Sequence, residues 1–551
     1  MDAKRPRRSQ DFPSTDEAKY DRQLRLWGSD AQELLESAHV CVIGGSALGA
    51  EVLKNLVLPG VGRFTLIDPA PSPTATASDV ASNFFVWAED VAAGRARCDA
   101  VAARVLELND RVMGTARRVA SLEQLLRAPS YFRQFSLVVL AQCWDEALTL
   151  RLEGALREAG VPLVVASCVG FWGWLRISAP DHCVHDTRRT PPIRDLRIAD
   201  PFPGLAAFAS SPRFGAHPDD MSGLSPLDHS HVPFPVVLIK ALRLWHKQEA
   251  NKGRTPTVGE IRGVVRTQLM QSAEEENVAE ALTNATKALP FSVYGKVLVE
   301  NVCGRVFEDG RADAPPPDSE FWLAAAALKA FHRATGRLPL PAERLPDMAS
   351  YTSDYVELQA VYDAEAARDR AEVSRLASEI CERAGRPPLR DAAVDAFCRK
   401  AAYLYIARYP TIREELESFS PALYHCGEGD SVAEFSRGII VAMRVARAFF
   451  AGKGRLPERD DISDVRAISE EFGRKCGVSV DDGVLLELCR YGGAELHNVA
   501  AVVAGVVSQE VIKLVTHRFI PLENTFVYNG INSTGARFNV PSKKRGVGSE
   551  I

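Results

Sequence analysis

The segment Val40–Asp68, VCVIGGSALGAEVLKNLVLPGVGRFTLID, sets residue types suited to phosphate chemistry between two apolar runs. A dinucleotide-binding turn uses Gly-x-Gly-x-x-Gly between strand and helix. Missing Cβ atoms there permit the tight turn, the close approach of backbone to phosphate, and close packing of helix on strand. Gly44 and Gly49 hold the outer positions, but Ser46 holds the middle one. A Cβ with a hydroxyl takes up part of the space phosphate needs. Asp68, closing the second run, stands where an acidic side chain accepts from a ribose hydroxyl. The fold signal is strong and the signal for a self-sufficient nucleotide site is weak.

The spacing predicts strand, helix and strand over 38–67, with the helix from about Leu48 to Leu58 stopped by Pro59-Gly60. A loop rich in Pro, Ala, Thr and Ser covers 69–79. Ala92–Asn109 reads as one helix with Cys98, Val101, Val105 and Leu108 along one face. The runs 135–141 and 161–166 are continuously apolar and separated by a helical 147–160, the rhythm of a parallel sheet covered on both faces. Beyond Gly170 the rhythm changes, and amphipathic helices dominate 236–475. Phe321, Ala325, Leu328 and Phe331 recur at helical spacing, as do Val441, Val445, Ala448 and Phe449. Three helices end alike, at 253–256, 336–339 and 454–457, each with Gly-Arg-x-Pro: a glycine cap, then a proline that cannot extend the helix. Residues 499–514, 526–529 and 536–539 return to helix and strand. The expected fold class is α/β and Rossmann-like, interrupted by a large, mainly helical insertion. The expected divisions are a disordered basic tail (1–19), the N-terminal part of the α/β domain (20–170), the insertion (171–480) and the C-terminal part (481–551).

With 551 residues, 46% hydrophobic and 25% charged, the composition is that of a globular chain with several cores. A net charge of −5 offers no basic field, which argues against nucleic acid as the main partner. The run Lys4-Arg5-Pro6-Arg7-Arg8 is the exception and fits a nuclear address, so the expected location is cytoplasmic and nuclear. No secretory leader and no membrane span is expected. The longest apolar stretch, 499–507, is flanked by His497 and Gln509-Glu510 and reads as a buried helix. Eleven cysteines without any Cys-x-x-Cys suit reduced thiols, not a disulfide frame or a four-thiolate zinc site. Asp181-His182-Cys183 with His185-Asp186 cannot converge on a metal at that spacing, so no metal is expected. Asp228-His229-Ser230-His231, just ahead of Pro233, suits hydrogen bonding at a helix start. Cys489, beside Arg490, reads first as a buried helix cysteine and second as an activated thiol.

Tyr20-Asp21-Arg22-Gln23-Leu24, the glycine loop, 53–62 and Gln509–Lys513 together resemble the ubiquitin-like-modifier activating (E1) enzymes. Within that family, Ser82-Asn83-Phe84-Phe85, Asp228–His231 and Leu488–His497 are most similar to the non-catalytic subunits of neddylation-activating heterodimers. The resemblance runs from 20 to 540. It implies an adenylation-like domain of ThiF/MoeB type and an obligate heterodimer with a catalytic E1 subunit. That pair adenylates the C-terminus of the NEDD8/RUB modifier with ATP, moves it to a cysteine of the partner, and passes it to the NEDD8 E2. In the active site of the family, a ribose aspartate, an Asn-Arg pair, a lysine and a magnesium-positioning aspartate act together. Carried over, Asp68 keeps the ribose position and Asn83 the asparagine, Phe84 replaces the arginine, Arg97 takes the lysine position, and Gln142-Cys143 stand where the magnesium aspartate belongs. Gly44, Ser46, Gly49, Asp68, Asn83 and Arg97 are thus a vestigial site. No cofactor is expected on this chain alone, with ATP and Mg in the partner subunit. Arg22 is implied to reach in trans to the partner's ATP site, where a guanidinium neutralises developing charge. Arg25 makes a second contact or a surface pair. The duller reading is that Arg22 and Gln23 only hold the interface. No catalytic cysteine is implied, and the helical insertion would wall the modifier cleft. The competing readings are the equivalent subunit of the SUMO-activating enzyme, an adaptor with no active-site contribution, and an autonomous Rossmann oxidoreductase.

Overall fold

The computed structural model describes residues 15–69, 74–187, 196–289, 320–417, 431–476 and 480–539. The basic run at 4–8, Cys303 and Cys426 lie outside them. The chain forms two compact units, the first of Met1–His182 with Ala407–Ile551, the second of Cys183–Ile406.

The first unit opens with α1 (Thr15–Trp27), α2 (Ser29–Ser37), β1 (His39–Ile43), α3 (Ala47–Val57) and β2 (Arg63–Pro69). It continues through α4 (Ala77–Ser82), α5 (Ala88–Ala92), α6 (Arg97–Leu106), β3 (Met113–Val119), α7 (Leu122–Leu126), β4 (Leu137–Ala141), α8 (Glu146–Ala159), β5 (Leu163–Val169) and β6 (Trp172–Ser178). The second unit holds a two-stranded sheet, β7 (His182–Val184) and β8 (Tyr405–Ala407). Its helices are α9 (Pro203–Ala209), α10 (Pro226–Ser230), α11 (Phe234–His246), α12 (Val258–Val264), α13 (Glu276–Thr283), α14 (Glu320–Thr335), α15 (Thr352–Arg383) and α16 (Asp391–Lys400). The first unit then resumes with α17 (Ile412–Glu417), α18 (Ser431–Lys453), α19 (Ile462–Cys476), α20 (Asp482–Tyr491), α21 (His497–Thr516), β9 (Thr525–Asn529) and β10 (Thr534–Phe538).

The sheet of the first unit has the order β10-β9-β6-β5-β4-β1-β2-β3. Strands β1 to β5 pair in parallel, while β6, β9 and β10 are antiparallel. β4 and β5 are buried along their whole length, as continuous apolar runs covered on both faces must be. β1 and β4 are neighbours from which the chain winds in opposite directions, so their C-terminal ends flank a topological switch point, where doubly wound sheets bind ligands. α21 packs against α3, β5 and β6. Gly173 makes this possible, since a Cβ there would lie 2.2 Å from Val503 Cγ2. α21 is long and apolar enough to cross a membrane, yet most of it is buried inside the fold.

Two expectations need correction. The single helix expected over 92–109 is shorter at both ends: α5 ends at Ala92, Gly94 beyond it has φ of +59°, and α6 runs only from Arg97 to Leu106, leaving Leu108 exposed. The expected insertion 171–480 is too long at both ends. β6 lies inside the sheet, and α18 buries Ile439, Val445 and Phe449 in one core with Trp172, Val527 and Phe538. Only Cys183–Ile406 forms the separate, mainly helical unit, with Phe321, Ala325, Leu328 and Phe331 in its core.

The three recurrent helix ends share one physical device. Gly253, Gly336 and Gly454 have φ of +73°, +71° and +71°. The arginine after each folds back over an aromatic ring of a preceding helix: Arg254 on Trp245 at 5.8 Å, Arg337 on Phe331 at 5.8 Å, Arg455 on Phe449 at 5.5 Å.

Candidate functional site

The glycine loop sits at the switch point, and its outer glycines are fixed by close approach. A Cβ on Gly44, whose φ is +105°, would stand 2.4 Å from Ala141 O, and one on Gly49 would stand 2.0 Å from Gly44 O. Ser46 serves the helix: it is the N-cap of α3, and its hydroxyl accepts from Gly49 N at 3.4 Å.

The ribose position is engaged from within. Asp68 is buried, accepts from Gly45 N at 2.8 Å, and takes Arg97 Nε at 3.2 Å and Nη2 at 3.1 Å. Arg97 also reaches Asp79 at 3.3 Å. Burial opposes the Arg97 charge, but the two carboxylates outweigh it and hold its pKa above the ordinary arginine value. Asn83 is buried too; it donates to Gly45 O at 3.1 Å and accepts from Phe85 N at 3.0 Å, so it ties the loop together. Phe84, at the family's arginine position, is 71% exposed.

The phosphate position holds a group the sequence did not disclose. Glu495, just before α21, puts a carboxylate oxygen 3.0 Å from Leu48 N in the first turn of α3, and the Gln142 and Ser46 side chains also bond it. An anion belongs at such a helix start, where free N–H groups and the helix dipole converge. Gln142, at the magnesium-aspartate position, has φ +55° and zips onto β5 through Cys168 N and O at 2.9 and 2.8 Å. A signal was available: α3 has no acidic residue in its first turn and the loop lacks its middle glycine, so its counter-charge had to come from elsewhere in the chain.

Burial pushes the Glu495 carboxyl above its ordinary value of 4.5, against the pull of Leu48 N–H. A folded pKa raised above the unfolded one means stability is lost as pH rises through the interval between them. The stability of Glu495→Gln minus that of wild type is therefore expected to grow as pH climbs from 4.5 and then level off. Urea midpoints of both proteins across about pH 4–8 check this, and a constant difference sinks it.

Arg22 lies exposed on α1 and, among the described residues, has no hydrogen bond or ion pair. Its neighbours do the docking. Gln23 Nε2 donates to Gln32 at 2.9 Å and to Pro59 O at 2.8 Å, Trp27 Nε1 donates to Gln32 at 3.1 Å, and Asn109 donates to the Tyr20 hydroxyl at 3.0 Å. Arg25 pairs with Asp21 at 2.9 Å on the surface.

Of the described thiols, Cys98 and Cys489 are pushed up to about 11 and Cys398 to about 12, and Cys41, Cys143 and Cys168 upward as well, all by burial. Cys489 is a buried residue of α20. Among the described residues no group of three or more His, Cys, Asp or Glu side chains is placed to hold a metal. Asp181 pairs with Arg408, His182 stacks on His517, and His185 stacks on Phe321. Asp228–His231 precedes α11, which starts at Phe234 after Pro233 as expected, and it also lies largely within the short helix α10, capped by Ser225, with His229 buried against Glu275 at 2.6 Å.

The ThiF family model matches residues 20–548. The chain is 32% identical to the NEDD8-activating enzyme E1 regulatory subunit AXL of Arabidopsis thaliana, over 93% of this chain and 97% of that one. It is equally 32% identical to the NEDD8-activating enzyme E1 regulatory subunits of Xenopus laevis (95% and 98% covered) and Drosophila melanogaster (94% and 96%). The chain belongs to the ThiF family and, within it, to the family of the NEDD8-activating enzyme E1 regulatory subunits.

Proposed function

We propose that this chain is the non-catalytic subunit of a heterodimeric activator of NEDD8. It pairs with a catalytic subunit that binds ATP and Mg, adenylates the modifier and carries the thioester. The observation that carries this reading is the glycine loop, whose groups are consumed internally: Asp68 by Arg97 and Gly45 N, and the α3 start by Glu495. A phosphate site needs donors aimed at the incoming charge, and these are already engaged. Arg22 is the group this chain contributes to the partner's ATP site, and the helical second unit takes part in holding the modifier. The relatives' names favour NEDD8 over SUMO.

Titrated alone with Mg-ATP in a calorimeter, the chain is expected to release no binding heat. Mixed with its partner, ATP and NEDD8, it is expected to leave the thioester on the partner band of a nonreducing gel. A micromolar, Mg-dependent isotherm on the isolated chain, or NEDD8 attached to one of its cysteines, overturns the division of labour.

A further inference from the structure

Gln32, buried on α2, has an amide whose hydrogen-bonding capacity is fully used. Its Oε1 accepts from Gln23 Nε2 at 2.9 Å and from Trp27 Nε1 at 3.1 Å. Its Nε2 donates to Glu36 Oε1 at 2.8 Å and to Pro59 O, just past α3, at 3.2 Å. An indole N–H only donates and a carbonyl oxygen only accepts, so the amide fits in one orientation. Gly60 is shaped to the same cluster: its φ is +90°, and a Cβ there would stand 2.8 Å from the Tyr20 hydroxyl and 3.5 Å from Gln32 Nε2.

The two α1 side chains on that amide are one helical turn apart. Two attachments at that spacing fix how a helix is turned, where a single one leaves a pivot. At about 100° per residue, Tyr20, Gln23 and Trp27 fall within about 60° of one another, and Arg22 lies about 130° around the helix from the middle of that stripe. Tyr20 and Trp27 are accordingly buried while Arg22 is exposed. We propose that Gln32 is a positioning residue for adenylation: its amide sets the rotation of α1, and so the direction in which Arg22 leaves the subunit. This inference rests on the reading of Arg22 as a donor to the partner's ATP site. Turning α1 by one residue swings Arg22 through about 100°. A misplacement of about 1 Å in a group acting on reacting charge already costs up to about 100-fold in rate.

Heterodimers assembled from full-length chains are compared by pyrophosphate exchange. Gln32→Met keeps the length of the side chain and loses every bond of the amide. It is expected to lower kcat about 10–100-fold and to leave KM for the modifier unmoved. Added to Arg22→Ala it should cost nothing further, because a residue that acts through Arg22 then has nothing left to position. Gln23→Met cuts the bond to Gln32 from the half-buried side and should show the same split; it decides the matter if Gln32→Met does not assemble. A loss that multiplies with that of Arg22→Ala, or a rise in KM alone, means that Gln32 serves only the fold and overturns the proposal. A wild-type rate from Gln32→Met beside a slow Arg22→Ala overturns it as well, and leaves the role of Arg22 standing. A wild-type rate from Arg22→Ala is a separate result, which overturns the reading beneath and this inference with it.

Discussion

Arg22→Ala in the assembled heterodimer is expected to slow adenylate formation about 100-fold or more while the pair stays together. Loss of one preorganised donor to developing charge costs roughly 3–4 kcal/mol, which corresponds to two to three decades in rate. The structure separates this effect from a loss of assembly. α1 is fastened by Tyr20, Gln23 and Trp27, and Lys19 reaches Asn109 at 2.8 Å, whereas Arg22 fastens nothing among the described residues. Removing it should leave α1 docked. Pyrophosphate exchange reads the chemical step, and size-exclusion chromatography of the same sample reads assembly. Arg22→Lys keeps the charge but loses the planar fork, and should recover only part of the rate. An intact mutant complex exchanging at the wild-type rate would leave the chain as an adaptor without active-site contribution.

What could be read from the sequence was local. β1, α3 and β2 follow from periodicity over a short stretch, and Gly44 and Gly49 are where backbone meets backbone, so no other residue fits. Asp68, Asn83 and Arg97 do gather at one place, where Arg97 bonds Asp68 and Asn83 bonds the loop. Glu495 escaped notice because its partner, Leu48 N, is 447 residues away, and nothing in GGAELH marks a side chain bound for a distant helix start. The same reason explains the misplaced boundaries. α18 has the apolar stripe of any amphipathic helix, and whether that stripe meets helices or the outer strands β9 and β10 is a long-range fact. The antiparallel β6 was hidden likewise, since the tryptophans of WGWLRIS give no sign of strand direction.

One such long-range pair should matter greatly for stability. Arg176 on β6 is fully buried, its Nε donates to Glu415 at 2.6 Å across 239 residues of sequence, and its Nη2 donates to Pro410 O at 3.2 Å. Glu415 also lies 3.9 Å from Arg444. Glu415→Ala strips both guanidinium groups of that counter-charge in a place water does not reach. Breaking a buried pair from one side costs about 3–5 kcal/mol, because the remaining charge keeps its desolvation penalty and loses its partner. The bond joins β6 to α17, just after the chain returns to the first unit, so the loss should appear as earlier urea unfolding of that unit. Glu415→Gln, which keeps an acceptor for Arg176 but no charge, should fall between wild type and alanine. The double change Arg176→Met with Glu415→Leu should recover much of the deficit, since an apolar pair of similar volume removes the buried charge altogether. If Glu415→Ala unfolds at the wild-type midpoint, water reaches the pair and it does not hold the returning segment to the sheet.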